Sequence, residues 1–440
     1  MTIRRVLVSG SLNRSAPPKG MAAFPNVGFA LLLTLSLLSL LVLVVLSLSA
    51  LAKVNARIAA ISVHQAQARQ NALLGLRVGW SELQRLAGED ARLTAMAGIT
   101  GITAQAASST RHWCGVWEES SGAFLGWLVS GAQATGPAAV QPGLATVELI
   151  GSNTVGAAAA NSEHVVAGKI PIAVTTTIAA PGIATPVGSY AYLVLDEGLK
   201  ISAYAAADQL SLAGVRPQLS STAPTSAAGK LAAALHAYAS KLPGVLSYTQ
   251  LSLLPHPGPA LTPSVLQDNF HHVTLTAQTV GGGQYWAGNI NFNTTSTVVW
   301  RSLLETYNTV PGSVTLPAAT LAAQGNALAN GLAATTLGKA ANGPFRTVND
   351  LGTYLASYFP PTGLPTHQQI MDAISPLLTV RSDTFRLRAY GEALNPADAT
   401  KTEAVAFCEA IVQRTPGLAP NGLGRKFIIL SFRWLGPGDL

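Results

Sequence analysis

The feature that most constrains this chain is an uncharged segment from Val27 to Ala52, which runs for 26 residues. Leucine, valine, alanine and serine dominate it, and it contains no proline. A helix of that length would extend roughly 39 Å, enough to cross the hydrocarbon core of a bilayer with some tilt. The sequence therefore predicts a membrane-spanning helix near the N-terminus.

The helical pattern continues beyond this apolar segment. Apolar residues recur at steps of three or four, and Gly88 is a typical helix stop. We predict one helix from Val27 to Ala87, roughly 92 Å long, in which an amphipathic stalk follows the membrane span. A membrane anchor followed by an ordinary surface helix is the alternative. The apolar stripe of the stalk comprises Val54, Ile58, Ile61, Ala68, Ala72, Leu76, Leu83 and Leu86.

Three interpretations of the N-terminus compete. A cleaved secretory signal is one, since Ala50–Ala52 offers a small-x-small cleavage site, but the apolar run far exceeds the usual 7–15 residues. An uncleaved signal anchor is the second. The third is a prepilin-type leader, in which a basic segment ends in glycine, phenylalanine follows, and the apolar helix begins at once. Gly28 and Phe29 stand at that boundary.

The net charge of +7 is unevenly distributed. Residues 1–81 hold eight basic residues and no acidic one, whereas the rest of the chain holds 19 basic and 20 acidic residues. The basic excess therefore flanks the apolar segment, which is typical of membrane topology and argues against a nucleic-acid-binding face. Basic residues lie on both sides of the span, so charge alone sets its orientation only weakly.

Beyond the stalk, the patterns indicate an α+β head. Trp113, Trp117, Phe124 and Trp127 are predicted to pack in its core. Residues 189–205 read as a strand, and residues 383–393, 403–414 and 425–435 as an antiparallel meander with at least one polar face. Short helices are predicted over residues 297–308 and 366–378.

The two cysteines exclude a disulfide-rich scaffold and a cysteine-ligated zinc module. Cys114 and Cys408 lie far apart in sequence. Outside the cytoplasm they could form a disulfide that ties the stalk–head junction to the C-terminal sheet. Two buried free thiols are the equal alternative, because Cys114 lies among tryptophans and Cys408 on an apolar strand face.

The sequence predicts no catalytic, cofactor or metal site. Zinc-protease, calcium-loop and nucleophile-elbow motifs are missing from it. His271 and His272 fall in a predicted strand over residues 269–280, where they would point to opposite faces and could not easily share one metal ion. Asp196 and Glu197 are expected in a turn that faces Lys200 or solvent, rather than in a cation site.

Several blocks of sequence resemble known families. The segment from Val27 to Val54 resembles the start of prepilin-type proteins, particularly the PilX-like and K-type minor pseudopilins. Five further blocks are similar to the Verru_Chthon cassette protein A family, and they occur in the same order along the chain. These blocks are residues 68–97, 113–131, 189–200, 381–393 and 407–435.

The prepilin resemblance implies cleavage after Gly28 by a membrane aspartyl peptidase. Phe29 would become the mature N-terminus and be N-methylated, and the mature chain would keep a net charge of +3. Most pilins carry glutamate at the fifth mature position, where it pairs with a neighbouring subunit. Leu33 occupies that position here, and K-type minor pseudopilins, which cap a filament tip, similarly lack this glutamate. An unpaired carboxylate in lipid would be costly, so the leucine suits the membrane.

The resemblance also implies a domain plan and a function. We predict a leader (1–28), a transmembrane helix (29–52), a stalk and junction (53–95), a head with Gly/Ala/Thr-rich insertions (96–345), and a C-terminal helix with antiparallel strands (346–440). The expected function is structural rather than enzymatic. The protein would be a minor pseudopilin, or a tip or initiator subunit, of a type IV pilus or a type II secretion-like assembly.

Localisation and partners follow from the same resemblance. We expect a single-pass protein of the cytoplasmic membrane of a bacterial cell envelope, with its head on the periplasmic or exterior side or on a surface filament. Its expected partners are the prepilin peptidase and other pilin or pseudopilin subunits, with no nucleic acid. The alternative is a membrane-anchored envelope-binding or adhesive module that does not polymerise.

Overall fold

The structure is a computed structural model, and it describes most of the chain after the predicted leader. The predicted leader up to residue 26 lies outside the described residues, as do the segments 203–266 and 281–283. The described ranges are 27–100, 108–157, 159–175, 184–202, 267–274, 279–280, 284–285, 290–308, 310, 312–339 and 343–439.

Helix α1 runs without interruption over Val27–Ala87, the bounds expected from the sequence. The chain divides into two compact units, Met1–Ala60 and Ile61–Leu440. Among the residues that the structure describes, five shorter α-helices follow α1: α2 (Ser152–Val155), α3 (Thr297–Tyr307), α4 (Ala318–Ala334), α5 (Val348–Leu355) and α6 (His367–Ile374). Helices α3 and α6 confirm the two short helices predicted from the sequence.

Sixteen strands lie in the described part of the chain. The first eight are β1 (Arg92–Met96), β2 (Cys114–Glu118), β3 (Phe124–Trp127), β4 (Thr146–Ile150), β5 (Val165–Gly168), β6 (Ile170–Thr175), β7 (Ala184–Asp196) and β8 (Ile201–Ser202). The others are β9 (Val273–Thr274), β10 (Thr279–Val280), β11 (Gln284–Tyr285), β12 (Ile290–Asn291), β13 (Leu378–Thr379), β14 (Thr384–Asn395), β15 (Asp398–Leu418) and β16 (Arg425–Leu435).

The principal sheet has five antiparallel strands in the order β16-β15-β14-β7-β6. Strands β14, β15 and β16 form the antiparallel meander predicted from their alternation. This sheet also takes in β6 and β7 from earlier in the chain. A second antiparallel sheet has the order β1-β2-β3, and four two-stranded pairs complete the strands described. The fold is therefore α+β, with a long N-terminal helix followed by a mixed head.

The second half of α1 packs on the principal sheet through small side chains. Ala68 and Ala72 are fully buried there. A Cβ added to Gly391 on β14 would meet the backbone of the helix at Ala68 and Ala72. Helix and strand backbones therefore approach so closely at Gly391 that only glycine fits. The predicted stripe is confirmed from Ala68 onward, whereas Val54, Ile58 and Ile61 are exposed.

Polar side chains of α1 anchor it to several strands. The Asn71 Nδ2 donates to the Glu392 carbonyl at 2.7 Å, and the Gln67 Nε2 donates to the Val187 carbonyl at 3.1 Å. The Gln84 side chain donates to the Arg425 carbonyl at 2.8 Å and accepts from the Phe427 N–H at 3.0 Å. These bonds fix the position of residues 61–87 along the sheet, because each joins a helix side chain to a particular strand residue.

The aromatic residues predicted for the core are found there. Trp113, Trp117 and Trp127 are buried, and Phe124 packs against them. The Trp117 ring meets the Trp127 ring edge-on at a centroid distance of 5.8 Å, a favourable aromatic geometry. The polar face predicted for β14 is present, but Arg386 and Arg388 on it are buried rather than solvated.

Candidate functional site

The first half of α1 has the properties of a membrane-spanning segment. Its large apolar side chains between Phe29 and Leu51 are 48–71% exposed, so nothing in the described chain covers them. Within the described residues, α1 is the one helix long and apolar enough to cross a membrane. Single-pass anchoring is compatible with this helix.

Four hydroxyl groups along this half of α1 are satisfied within the helix. Thr34 Oγ1 donates to the Leu31 carbonyl at 3.0 Å, and Ser36 Oγ donates to the Leu33 carbonyl at 2.9 Å. Ser39 and Ser47 make the same bond to the carbonyl three residues earlier. A hydroxyl bonded in this way needs neither water nor a partner protein, so these polar residues are tolerated in hydrocarbon.

Gly28, Phe29 and Leu33 all lie in the first two turns of α1. A peptidase that cleaves after Gly28 must unwind the first turn, because a peptide bond in a helix has its carbonyl engaged and its backbone curled. Leu33 is exposed, in common with its apolar neighbours. The N-terminal part of the span therefore presents an apolar surface without a carboxylate.

The two cysteines are free and buried in the structure. The Cys114 Sγ lies 3.8 Å from the Gly115 carbonyl, and the Cys408 Sγ lies 3.9 Å from the Ala72 carbonyl. Burial raises the pKa of both thiols, that of Cys408 to about 12. The structure therefore has two separate protonated thiols, and the disulfide considered as an alternative is not formed in it.

The prediction of a strand at His271 and His272 is wrong. Both histidines lie in a turn before β9, because their neighbours bond locally: the His272 N–H donates to the Asn269 carbonyl at 3.0 Å. The His272 Nδ1 lies 2.8 Å from Ser296 Oγ, at the start of α3. His271 instead joins His112 and Glu163, which are far from it in sequence.

We call His112, Glu163 and His271 the histidine cluster. Their potential metal-ligand atoms all lie within 4.8 Å of one another. The His112 Nε2 lies 3.0 Å from Glu163 Oε2, and the His271 Nε2 donates to the Glu163 carbonyl at 2.8 Å. Arg111 adds an ion pair of 3.3 Å to the same carboxylate. Burial lowers the pKa of both histidines, which favours their neutral forms.

The geometry of this cluster does not suit a shared metal ion. The His112 and His271 rings stack with centroids 3.6 Å apart and an interplanar angle of 4°. Their in-plane lone pairs are therefore parallel and do not converge. An ion midway between the rings would lie about 1.8 Å, half the 3.6 Å separation, out of each ring plane, although a zinc–nitrogen bond is only about 2.0–2.1 Å long. The hydrogen bonds and the Arg111 ion pair already satisfy this cluster as a structural network.

A second buried network crosses the principal sheet. The Glu409 carboxylate on β15 accepts from Arg386 Nη1 at 2.9 Å, Arg388 Nε at 2.8 Å and Arg433 Nε at 3.0 Å. Burial alone would raise the pKa of Glu409, but the three neighbouring guanidinium groups hold it well below its usual range. Glu409 is therefore ionised, and it compensates the charge of the arginines on β14.

The turn after β7 completes this network. Glu197 is buried and pairs with Lys200 at 2.7 Å and with Arg386 at 2.9 Å. Burial raises the pKa of Glu197, and the charges of Arg386 and Lys200 outweigh that effect and lower the pKa to about 2. The sequence placed Glu197 in a turn near Lys200, which the structure confirms, although the pair is buried instead of solvated.

A surface cavity of about 650 Å³ lies between the β2–β3 turn and the start of α5. Three of its charged side chains, those of Lys339, Arg346 and Asp350, are engaged with the protein itself. The Lys339 Nζ donates to the Ile99 carbonyl at 2.9 Å, the Arg346 Nε donates to the Glu119 carbonyl at 2.7 Å, and Asp350 caps α5 through Thr347. These groups do not converge on the cavity, so it has no built ligand site.

Comparison with known proteins adds no relative: no family model, no curated protein and no solved structure matches the chain.

Proposed function

We propose that this protein is a prepilin-like membrane protein that acts as a minor pseudopilin, or as a tip or initiator subunit, in a type IV pilus or type II secretion-like assembly. The proposal rests on one observation: the two parts of α1 have different surroundings. Its first part exposes apolar side chains with satisfied hydroxyls, and residues 61–87 bury small side chains against the sheet of the head. Its role is structural, and assembly rather than catalysis is its mechanism.

The proposal places processing at the Gly28–Phe29 bond. A membrane aspartyl peptidase would remove the basic leader, and Phe29 would be N-methylated. The head would then lie on the periplasmic or exterior side of the cytoplasmic membrane. Leu33 supports a terminal position in a filament, because a subunit without a carboxylate there lacks the contact by which it would be added beneath another subunit. Residues 29–52 would pack against the corresponding helices of partner subunits.

Cysteine crosslinking in native membranes tests whether this helix has partners. Single substitutions such as Leu35→Cys, Leu38→Cys and Leu41→Cys place a thiol along the exposed part of α1, and a photoreactive maleimide attached to that thiol can bond to any neighbouring chain. If the helix packs in an assembly, we expect crosslinks to other chains at positions that recur every three to four residues, because one helix face meets the partner.

The unsubstituted chain is the control for that experiment, because its two thiols are buried and should give no crosslink. If no position from residue 31 to residue 48 forms a crosslink, the protein is an anchored module that does not polymerise, and the assembly proposal is wrong.

A further inference from the structure

Strand β16 forms one edge of the principal sheet, and among the described strands none pairs with its outer side. The Phe427 N–H points away from β15 and is occupied by Gln84 Oε1 at 3.0 Å. In an antiparallel ladder, the backbone groups of every second residue point away from the neighbouring strand. After Phe427 the next such residue is Ile429, and beyond a bulge at Leu430 they are Phe432 and Trp434. This edge can therefore accept hydrogen bonds from, and donate them to, an added strand.

The same residues carry exposed apolar side chains. Ile429 is 40% exposed, Phe432 43% and Trp434 39%. The Phe432 and Trp434 rings meet edge-on at a centroid distance of 5.5 Å, so they form one patch on the face of the sheet that α1 covers. At the opposite edge of the sheet, β6 carries Pro171, which cannot donate to a ladder. The two edges therefore differ in their capacity to bind a strand.

Helix α1 supplies a wall beside this patch. The Arg69 guanidinium lies 5.4 Å from the centre of the Trp434 ring. At about 100° per residue, Leu73, Arg77 and Trp80 project from the same side of the helix as Arg69. Leu73 and Trp80 are half-buried. The patch and this side of α1 form a groove with apolar walls, which we call the β16 groove.

The charges around the β16 groove are of one sign. Arg69, Arg77 and Lys426 are exposed, and none of them has an ion pair with a described residue. Strand β16 contains no acidic residue, and neither does α1 before Glu82. Two copies of the chain joined at this edge would bring like charges together, which opposes pairing. Lys426 projects from the opposite face of the sheet, because it neighbours Phe427, so carboxylates on the α1 face of the incoming segment would be attracted to Arg69 and Arg77.

We propose that the β16 groove binds an extended acidic segment of a partner polypeptide, which adds to β16 as a sixth strand. On the face that α1 covers, it would place apolar side chains over Ile429, Phe432 and Trp434 and carboxylates beside Arg69 and Arg77. This mode is β-strand addition, in which main-chain bonds give affinity and alternate side chains give specificity. It does not depend on the proposed function, because it concerns the head and stalk and requires neither cleavage nor a filament.

Two synthetic peptides test this proposal on the full chain in nonionic detergent. The first is Val-Thr-Glu-Thr-Val-Thr-Glu-Thr-Val, whose valines and glutamates share one face of the strand, and the second has lysine in place of glutamate. Fluorescence anisotropy with a labelled peptide is expected to show saturable binding of the acidic peptide and binding of the lysine peptide at least tenfold weaker. The affinity for the acidic peptide is expected to fall as salt is added.

Three variants locate the binding site. Phe432→Glu is expected to weaken binding of the acidic peptide at least tenfold, whereas Val174→Glu, at a residue 49% exposed on the opposite edge strand, should leave it unchanged. Arg69→Glu reverses a charge without altering the sheet. It is expected to weaken binding of the acidic peptide and to strengthen binding of the lysine peptide.

The proposal is overturned by any of three results. One is the absence of saturable binding by the acidic peptide, and another is an equal loss of binding in Val174→Glu and Phe432→Glu. The third is a dimer of the chain in detergent that Phe432→Glu dissociates, because a second copy would then occupy the groove.

Discussion

Replacing Gly391 with alanine is expected to lower the free energy of unfolding of the head by about 3 kcal/mol, at the upper end of the cost of overpacking. The added Cβ would lie 2.7 Å from the Asn71 carbonyl carbon and still closer to the backbone atoms of Ala68 and Ala72. These are backbone atoms in a helix, which cannot rotate aside as a side chain would. Helix α1 must therefore move away from β14, and the bonds of Asn71 to the sheet are weakened with it.

Gly417→Ala is the matched control for this substitution. Gly417 lies on β15 in the same sheet, and its added Cβ would meet only the Thr415 Oγ1 at 3.7 Å, an ordinary contact. Thermal or urea unfolding of the purified full chain should show a lower midpoint for Gly391→Ala and an unchanged one for Gly417→Ala. Equal midpoints for both variants would show that the helix and the sheet are not in close contact at Gly391.

Replacing Glu409 with glutamine is expected to destabilise the head by about 3–5 kcal/mol, the usual cost of removing one partner of a buried ion pair. Glutamine has the same shape, but it leaves Arg388 buried without a negative charge beside it and leaves Arg386 with Glu197 alone. Glu403→Gln on the exposed part of the same strand is the control, and it should change stability by less than about 0.5 kcal/mol.

Acid should remove the same stabilisation in the unsubstituted protein. The pKa of Glu197 is about 2 in the folded chain, below its ordinary value of 4.5, so folding favours the ionised form. The network therefore stabilises the head fully above about pH 4.5, and this contribution is lost as pH falls towards 2. The fall in unfolding midpoint between pH 5 and pH 2.5 should be smaller in Glu409→Gln. An equal fall in both proteins would contradict a role for the network.

Local patterns predicted much of this fold, because they depend on residues near one another in sequence. The bounds of α1 follow from an uninterrupted helical pattern that ends before Gly88. The three strands β14, β15 and β16 follow from strict alternation between turn residues. Helix α6 follows from its amphipathic pattern, and the structure adds a capping box formed by Thr366 and Gln369.

Local patterns could not predict contacts between residues that are far apart in the sequence. Alternation placed Arg386 and Arg388 on one face of β14, but only the register of β14 with β15 brings Glu409 opposite Arg388. His112, Glu163 and His271 likewise meet through loops that are remote in sequence. Among these residues, only Arg386 and Arg388 could have been noticed from the local sequence. Two arginines on an otherwise buried strand indicate that a buried acidic residue lies nearby.

Local patterns also failed to predict which side chains of the edge strand β16 share an exposed face. The sequence identified β16 by its alternation, and alternation predicts one exposed and one buried face. The bulge at Leu430 shifts that phase within the strand. Ile429, Phe432 and Trp434 consequently share an exposed face that a simple period of two would have divided between both sides.

The central claim is that the basic leader is removed at the start of α1, and the N-terminus of the mature protein tests it most directly. The full-length protein would be isolated from the membrane fraction of its native host and examined by intact mass and N-terminal peptide mapping. We predict a chain that begins at Phe29 and carries an N-methyl group. A membrane protein that begins at Met1, or a soluble one that begins at Lys53, would contradict it.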